Sequence, residues 1–253
     1  MSATKGNPYR STFPVWPEAE VLKAEIMKLL KSTIAVLAIA SSSLFAVAGN
    51  AEEHHRNCKT NPGGEWPINP AEYVVRNCAF CHGDANLQGR AIAPRLAGQH
   101  QEYVVLELEE FRSRSRNSPF STRHMGPAAR QILPENDCEL GAYISTLPPV
   151  ARSDGNPDLV AQGEEIFMHG VAADNLPACQ FCHGPEAQGI GRFPRLGGQS
   201  YYYLKRRLED WNQGFEAIAP HMPGIASLLK PDEIEAVASY LSFVPAAPSK
   251  GEF

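Results

Sequence analysis

The sequence has no surplus of positive charge: 23 lysines and arginines stand against 28 aspartates and glutamates, for a net charge of -5. That removes the basic footprint on which nucleic-acid binding rests. The dense basic runs, Arg112, Arg114 and Arg116 and then Lys205, Arg206 and Arg207, fall within or at the end of expected helices, where a solvated face is the ordinary reading. Nor does any uninterrupted apolar run reach the roughly 20 residues that a spanning helix needs. The stretch 34–47 is broken by Ser41, Ser42 and Ser43. The hydrophobic fraction of 43% and charged fraction of 20% exclude extended disorder and a polytopic membrane protein. A chain of 253 residues is long enough for two compact units of about 100 residues each.

What is present begins at Met27. Met27, Lys28, Leu29, Leu30 and Lys31 make a charged start, residues 34–47 a short apolar core, and Ala46, Ala48 and Ala51 a small-residue cleavage site. These are the parts of a secretion signal, assigned to residues 27–51. Residues 1–26 do not fit it, because Pro8, Pro14, Pro17 and three glutamates precede the charged start, and are expected to be a non-translated or processed extension. Export implies an oxidising compartment, here the periplasm. Without residues 1–48 the chain keeps 18 basic and 25 acidic side chains.

Six cysteines stand at 58, 78, 81, 138, 179 and 182, and four of them fall in two Cys-x-x-Cys-His motifs: Cys78 and Cys81 before His82, Cys179 and Cys182 before His183. That spacing reads as covalent haem attachment. Two thiols one helical turn apart can add to the two vinyl groups of one porphyrin, while the adjacent imidazole reaches the iron from the same side. A thioredoxin-like redox pair would need a strand in a βαβ setting, which is missing. Zinc would need more ligands than either neighbourhood supplies.

The motifs belong to a repeat. Phe80 to Gly83 matches Phe181 to Gly184 at an offset of 101, and Pro94, Arg95, Leu96, Ala97, Gly98, Gln99 matches Pro194, Arg195, Leu196, Gly197, Gly198, Gln199 at 100. Further on, Met125, Pro134 and Tyr143 match Met222, Pro231 and Tyr240 at 97. Each copy reads as helical, with helix starts at Asn69-Pro70 and Asn156-Pro157 and apolar stripes around Phe111 and Trp211 and around Tyr143 and Tyr240. The turn-rich stretch from Leu147 to Asn156 reads as a linker. The expected fold is all-α, with haem-wrapping modules at 52–150 and 151–253. Their charges are uneven, 10 basic against 12 acidic residues in the first and 8 against 13 in the second, a difference suited to orienting the protein on a partner.

The sixth position at each iron decides its chemistry: methionine gives a saturated, high-potential centre, a second histidine lowers the potential, and an open site permits ligand binding. Met125 and Met222 are aligned candidates, but so are their neighbours His124 and His221. From about Asn77 to Val244 the chain resembles the di-haem cytochrome c4 family, on both Cys-x-x-Cys-His-Gly sites, residues 94–99 and 194–199, the two methionines, and the stretch from Asn156 to Phe167. The resemblance implies two tandem class I cytochrome c domains facing each other, His82 and Met125 as axial ligands of one iron, His183 and Met222 of the other, and the carbonyls of Pro94 and Pro194 as acceptors for the histidine Nδ1 protons. Cys58 and Cys138 depart from the family pattern; in an oxidising compartment they most simply form a disulfide, with two free thiols as the alternative.

The function expected on this basis is electron shuttling without chemistry on a substrate, from a quinol-oxidising complex or dehydrogenase to a terminal oxidase or reductase. Peripheral membrane association is admitted among the partners; nucleic acid is not. The alternatives are a di-haem enzyme of peroxidase or thiosulfate-oxidising type, which would need one iron with a labile ligand, and a dedicated cytochrome subunit of one dehydrogenase. Methionine at the same place in both copies argues against the enzyme.

Overall fold

The computed structural model describes residues 58, 68–83, 89–215 and 221–245, all within one compact unit spanning 55–253. The expected extension at 1–26 and signal at 27–51 lie outside the described residues.

The first repeat opens with α1 (Pro70–Tyr73), which runs through a π-helical stretch (Val74–Cys78) into α2 (Ala79–His82). Asn69 starts it as expected: its side chain accepts from the Glu72 N–H at 2.8 Å, and Pro70 occupies the first turn, where no N–H is needed. Then come α3 (Gln101–Ser113), α4 (Pro119–Ala129) and α5 (Asp137–Thr146). The second repeat holds α6 (Val160–His169), α7 (Gln180–His183), α8 (Tyr201–Asn212), α9 (Met222–Ala226) and α10 (Pro231–Phe243). Asn156 caps the turn that leads into α6. Among the described residues there is no strand, only isolated bridges between Val171 and Leu176 and between Ile190 and Phe193. None of the described helices is long and apolar enough to cross a membrane.

Helix-on-helix packing makes two hydrophobic clusters. One gathers Val74, Val104, Leu108, Phe111, Leu140 and Ile144, so α3 and α5 cross over the helical entry to the first motif. The other gathers Phe167, Leu204, Leu208, Ile234, Val237 and Leu241 from α6, α8 and α10. The closest crossing is α6 on α10, where Gly163 faces Ala236 and a Cβ on Gly163 would overlap the Ala236 carbonyl.

Two expectations change in detail. The basic runs are partly interior: Arg116 and Arg207 are each only 4% exposed. Both are paired with what buries them, Arg116 by Glu107 and the face of Phe111, Arg207 by the face of Trp211, with 3.9 Å from guanidinium to ring centre in the latter. Arg112 pairs with Asp137, and Arg206 lies over Phe120 of the first repeat at 3.7 Å. Of these, Arg114 has the expected exposure. The stretch from Leu147 to Asn156 contains no helix or strand, as a linker should, yet it is fastened to the second repeat. The backbone N–H groups of Arg152 and Ser153 donate to the carbonyls of Gly198 and Ser242, and Asp154 accepts from the Tyr201 N–H at 2.8 Å.

Cys58 and Cys138 form a disulfide, which ties the segment before α1 to α5. Cys138 is half-buried on α5.

Candidate haem sites

Each Cys-x-x-Cys-His motif occupies a short helical turn ended by glycine. Gly83 and Gly184 follow the histidines at φ of 76° and 77°, a conformation that an L side chain adopts only with strain, so the glycine after each motif histidine completes the turn. The turn brings His82 and His183 inside, 7% and 6% exposed. Each ring meets a proline carbonyl from the loop that follows: Nδ1 of His82 donates to Pro94 at 2.8 Å, and Nδ1 of His183 to Pro194 at 3.0 Å. These are the contacts the resemblance implied. With the proton fixed on Nδ1, the lone pair of each ring lies on Nε2, the tautomer a metal ligand needs. Burial lowers both imidazole pKa values, opposed in part by the carbonyl contacts, which keeps the rings neutral.

The cysteines divide in the same way in both repeats. Cys78 packs against the first hydrophobic cluster and Cys179 against the second, while Cys81 is half-buried and Cys182 exposed. Burial, reinforced by the neighbouring motif cysteine, pushes the Cys78 thiol up to about 11; burial likewise pushes Cys179 to about 11. Such thiols are not poised as thiolate redox nucleophiles. No group of three or more His, Cys, Asp or Glu that could hold a bare metal ion occurs among the described residues.

Met125 is half-buried on α4 and packs on the cluster that Cys78 joins; Met222, the first residue of α9, packs on the cluster that Cys179 joins. Their histidine neighbours point elsewhere: His124 is exposed against the Phe120 ring at 4.4 Å, and His221 is exposed at the N-cap of α9.

The residues present fit haem. Both repeats offer two thiols, a neutral buried imidazole with a carbonyl behind it, and a thioether on the adjoining core. Trp211 Nε1 and the Nε atoms of Arg195 and Arg206 are buried donors without an acceptor among the described residues, the kind of group that haem carboxylates would satisfy.

The sequence reading named every one of these ligand candidates but gave no role to Gln99 and Gln199, although they close the repeated hexapeptide. Both are buried, and each reaches into the other repeat. Gln199 Oε1 accepts from Arg95 N–H at 2.6 Å and its Nε2 donates to the Arg95 carbonyl at 3.1 Å. Gln99 does the same at Arg195, at 2.9 and 3.2 Å. The Arg195 guanidinium adds bonds to the carbonyls of Arg95 and Ala97 at 3.1 and 3.0 Å. His100 Nε2 meets the Gln188 carbonyl at 2.9 Å.

Comparison with known proteins agrees with this geometry. The family described as cytochrome c oxidase, cbb3-type, subunit III matches residues 158–241. Cytochrome c4 of Thiocapsa roseopersicina is 36% identical over 169 residues, covering 65% of this chain and 85% of that one. A thiosulfate dehydrogenase electron acceptor of Stutzerimonas stutzeri is 36% identical over 186 residues, covering 70% and 81%. The solved structure of Acidithiobacillus ferrooxidans cytochrome c4 superposes with a TM-score of 0.63 at 33% identity, covering 66% of this chain and 98% of that one. With two Cys-x-x-Cys-His turns, two carbonyl-held histidines and these relatives, the chain belongs to the cytochrome c4 family, all-α electron-transfer proteins with two covalently attached haem c groups.

Proposed function

We propose that the mature chain works in the periplasm as a soluble shuttle, with modules at 52–150 and 151–253 and both irons closed by strong ligands. Cys78 and Cys81 hold one haem and His82 and Met125 ligate its iron; Cys179, Cys182, His183 and Met222 do the same for the other. Each haem, when bound, supplies an iron that gains or loses one electron. The protein's part is to hold Nε2 of each histidine in place through the Pro94 and Pro194 carbonyls, to offer a thioether from the adjoining core, and to keep water out. The observation that carries this reading is the repetition of the same carbonyl-held histidine and core-packed methionine in both halves. An enzyme built on this pattern would need the two halves to differ at the sixth ligand.

The electron donor is a quinol-oxidising complex or a periplasmic dehydrogenase, and the acceptor a terminal oxidase or reductase. The likeness to a thiosulfate dehydrogenase electron acceptor favours a dehydrogenase as one donor. The test is the spectrum of the reduced mature protein with and without carbon monoxide, with haem quantified per chain. Two haems and an unchanged spectrum are expected. A shift at one haem would mean an open or labile iron, and an enzymatic role would replace the shuttle.

A further inference from the structure

The two glutamines that cross between the repeats end on the peptide groups that hold the proximal histidines. The carbonyl of Pro94 and the N–H of Arg95 belong to one peptide unit, as do the carbonyl of Pro194 and the N–H of Arg195. One unbroken line therefore runs from His82 Nδ1–H to the Pro94 carbonyl at 2.8 Å, through that peptide, and from the Arg95 N–H to Gln199 Oε1 at 2.6 Å. Its counterpart runs from His183 through Pro194 and Arg195 to Gln99 Oε1, with contacts of 3.0 and 2.9 Å. The amide orientations follow from the partners, since N–H groups face each oxygen and carbonyls face each nitrogen.

We infer that Gln199 tunes the haem of the first repeat and Gln99 the haem of the second, each acting as a positioning residue on the proximal histidine across the interface. A peptide whose N–H is engaged becomes a better acceptor at its carbonyl, because hydrogen bonds in a chain polarise one another. A better acceptor at Pro94 draws the Nδ1 proton of His82, makes the imidazole a stronger donor to iron, and favours iron(III) over iron(II). Gln199 thus holds down the potential of a haem in a module to which it does not belong, and Gln99 acts in the mirror sense. Both side chains are buried, so water does not compete for these bonds. In this arrangement, docking of the modules sets the potentials, and a module without its partner would differ from the same module in the intact protein.

This inference rests on the ligand assignment proposed above. The test uses full-length, haem-loaded protein labelled with nitrogen-15, with Gln199→Leu and Gln99→Leu compared with the parent. In the reduced state the proximal Nδ1–H resonance reports hydrogen-bond strength at each histidine, and a redox titration followed by haem-methyl resonances gives each potential separately. In Gln199→Leu the His82 Nδ1–H is expected to move upfield and the first haem's potential to rise, with His183 and the second haem changing much less; Gln99→Leu gives the reverse. Gln199→Asn, which withdraws the oxygen while keeping a polar side chain, shifts the same haem in the same direction by less. Shifts at neither haem, at the haem of the substituted repeat, or equally at both haems in both Leu variants overturn the inference. Upfield methyl resonances of two iron-bound methionines in the parent check the ligation separately: if one is missing the ligand assignment fails, and if both are present without the crossed pattern only the coupling fails.

Discussion

At the scale of single residues, the proposed choice of Met125 over His124 as iron ligand rests on where each side chain packs. Both types can ligate haem, and in each repeat they are neighbours in sequence. The methionine lies on the cluster that carries the motif's first cysteine, whereas the histidine is exposed. Replacing Met125 by alanine should open one iron and leave the other closed, so the reduced variant should take up about one carbon monoxide per chain where the parent takes up none. His124→Ala should leave the protein unreactive to carbon monoxide. An absorbance titration of both variants checks the pair, and carbon monoxide binding in His124→Ala would transfer the ligand role to the histidine.

At the scale of elements, the contacts that hold the helices are few and specific. Gly163 lets α6 lie against α10 at Ala236, so Gly163→Ala must push the two helices apart; overpacking of this kind costs about 1–3 kcal/mol. A lower thermal midpoint with haem still attached is the expected result, read by circular dichroism. The Cys58–Cys138 disulfide closes a loop of 80 residues of sequence separation onto α5. Its removal in Cys138→Ser should cost about 2–4 kcal/mol, seen as an earlier denaturant midpoint with the haem spectrum retained. The helices α3, α5, α8 and α10 were legible from their apolar stripes, and the starts of α1 and of the turn into α6 from Asn-Pro pairs. The burial of Arg116 and Arg207 was not, because a basic run in a helix or just past its end has the same sequence whether water or an aromatic face covers it. The roles of Gln99 and Gln199 were hidden for a related reason: the hexapeptide repeat is plain in the sequence, but that each copy ends on the other is a property of two modules docked face to face.

At the scale of the whole molecule, charge governs how the protein meets its partners. The chain from residue 49 onward carries 18 basic and 25 acidic side chains, and haem carboxylates add to the negative side. Several of the positive charges are spent internally: Arg112 on Asp137, Arg116 on Glu107, and Arg195, 1% exposed, on carbonyls of the first repeat. Two of these arginines each withdraw an acid with them, so the surface keeps the acidic balance of the composition. A cationic one-electron reagent such as hexaammineruthenium should be drawn to the protein and an anionic one such as ferricyanide repelled. Raising the ionic strength shortens the screening length to about 10 Å at 0.1 M and weakens both effects. The second-order rate with hexaammineruthenium should fall as salt is added, and the rate with ferricyanide should rise, both measured by stopped flow at a haem band. Opposite slopes would mean that electrons pass through a basic patch around one haem edge, and the physiological donor would then be an acidic protein; the expected slopes instead call for a donor that presents a basic face.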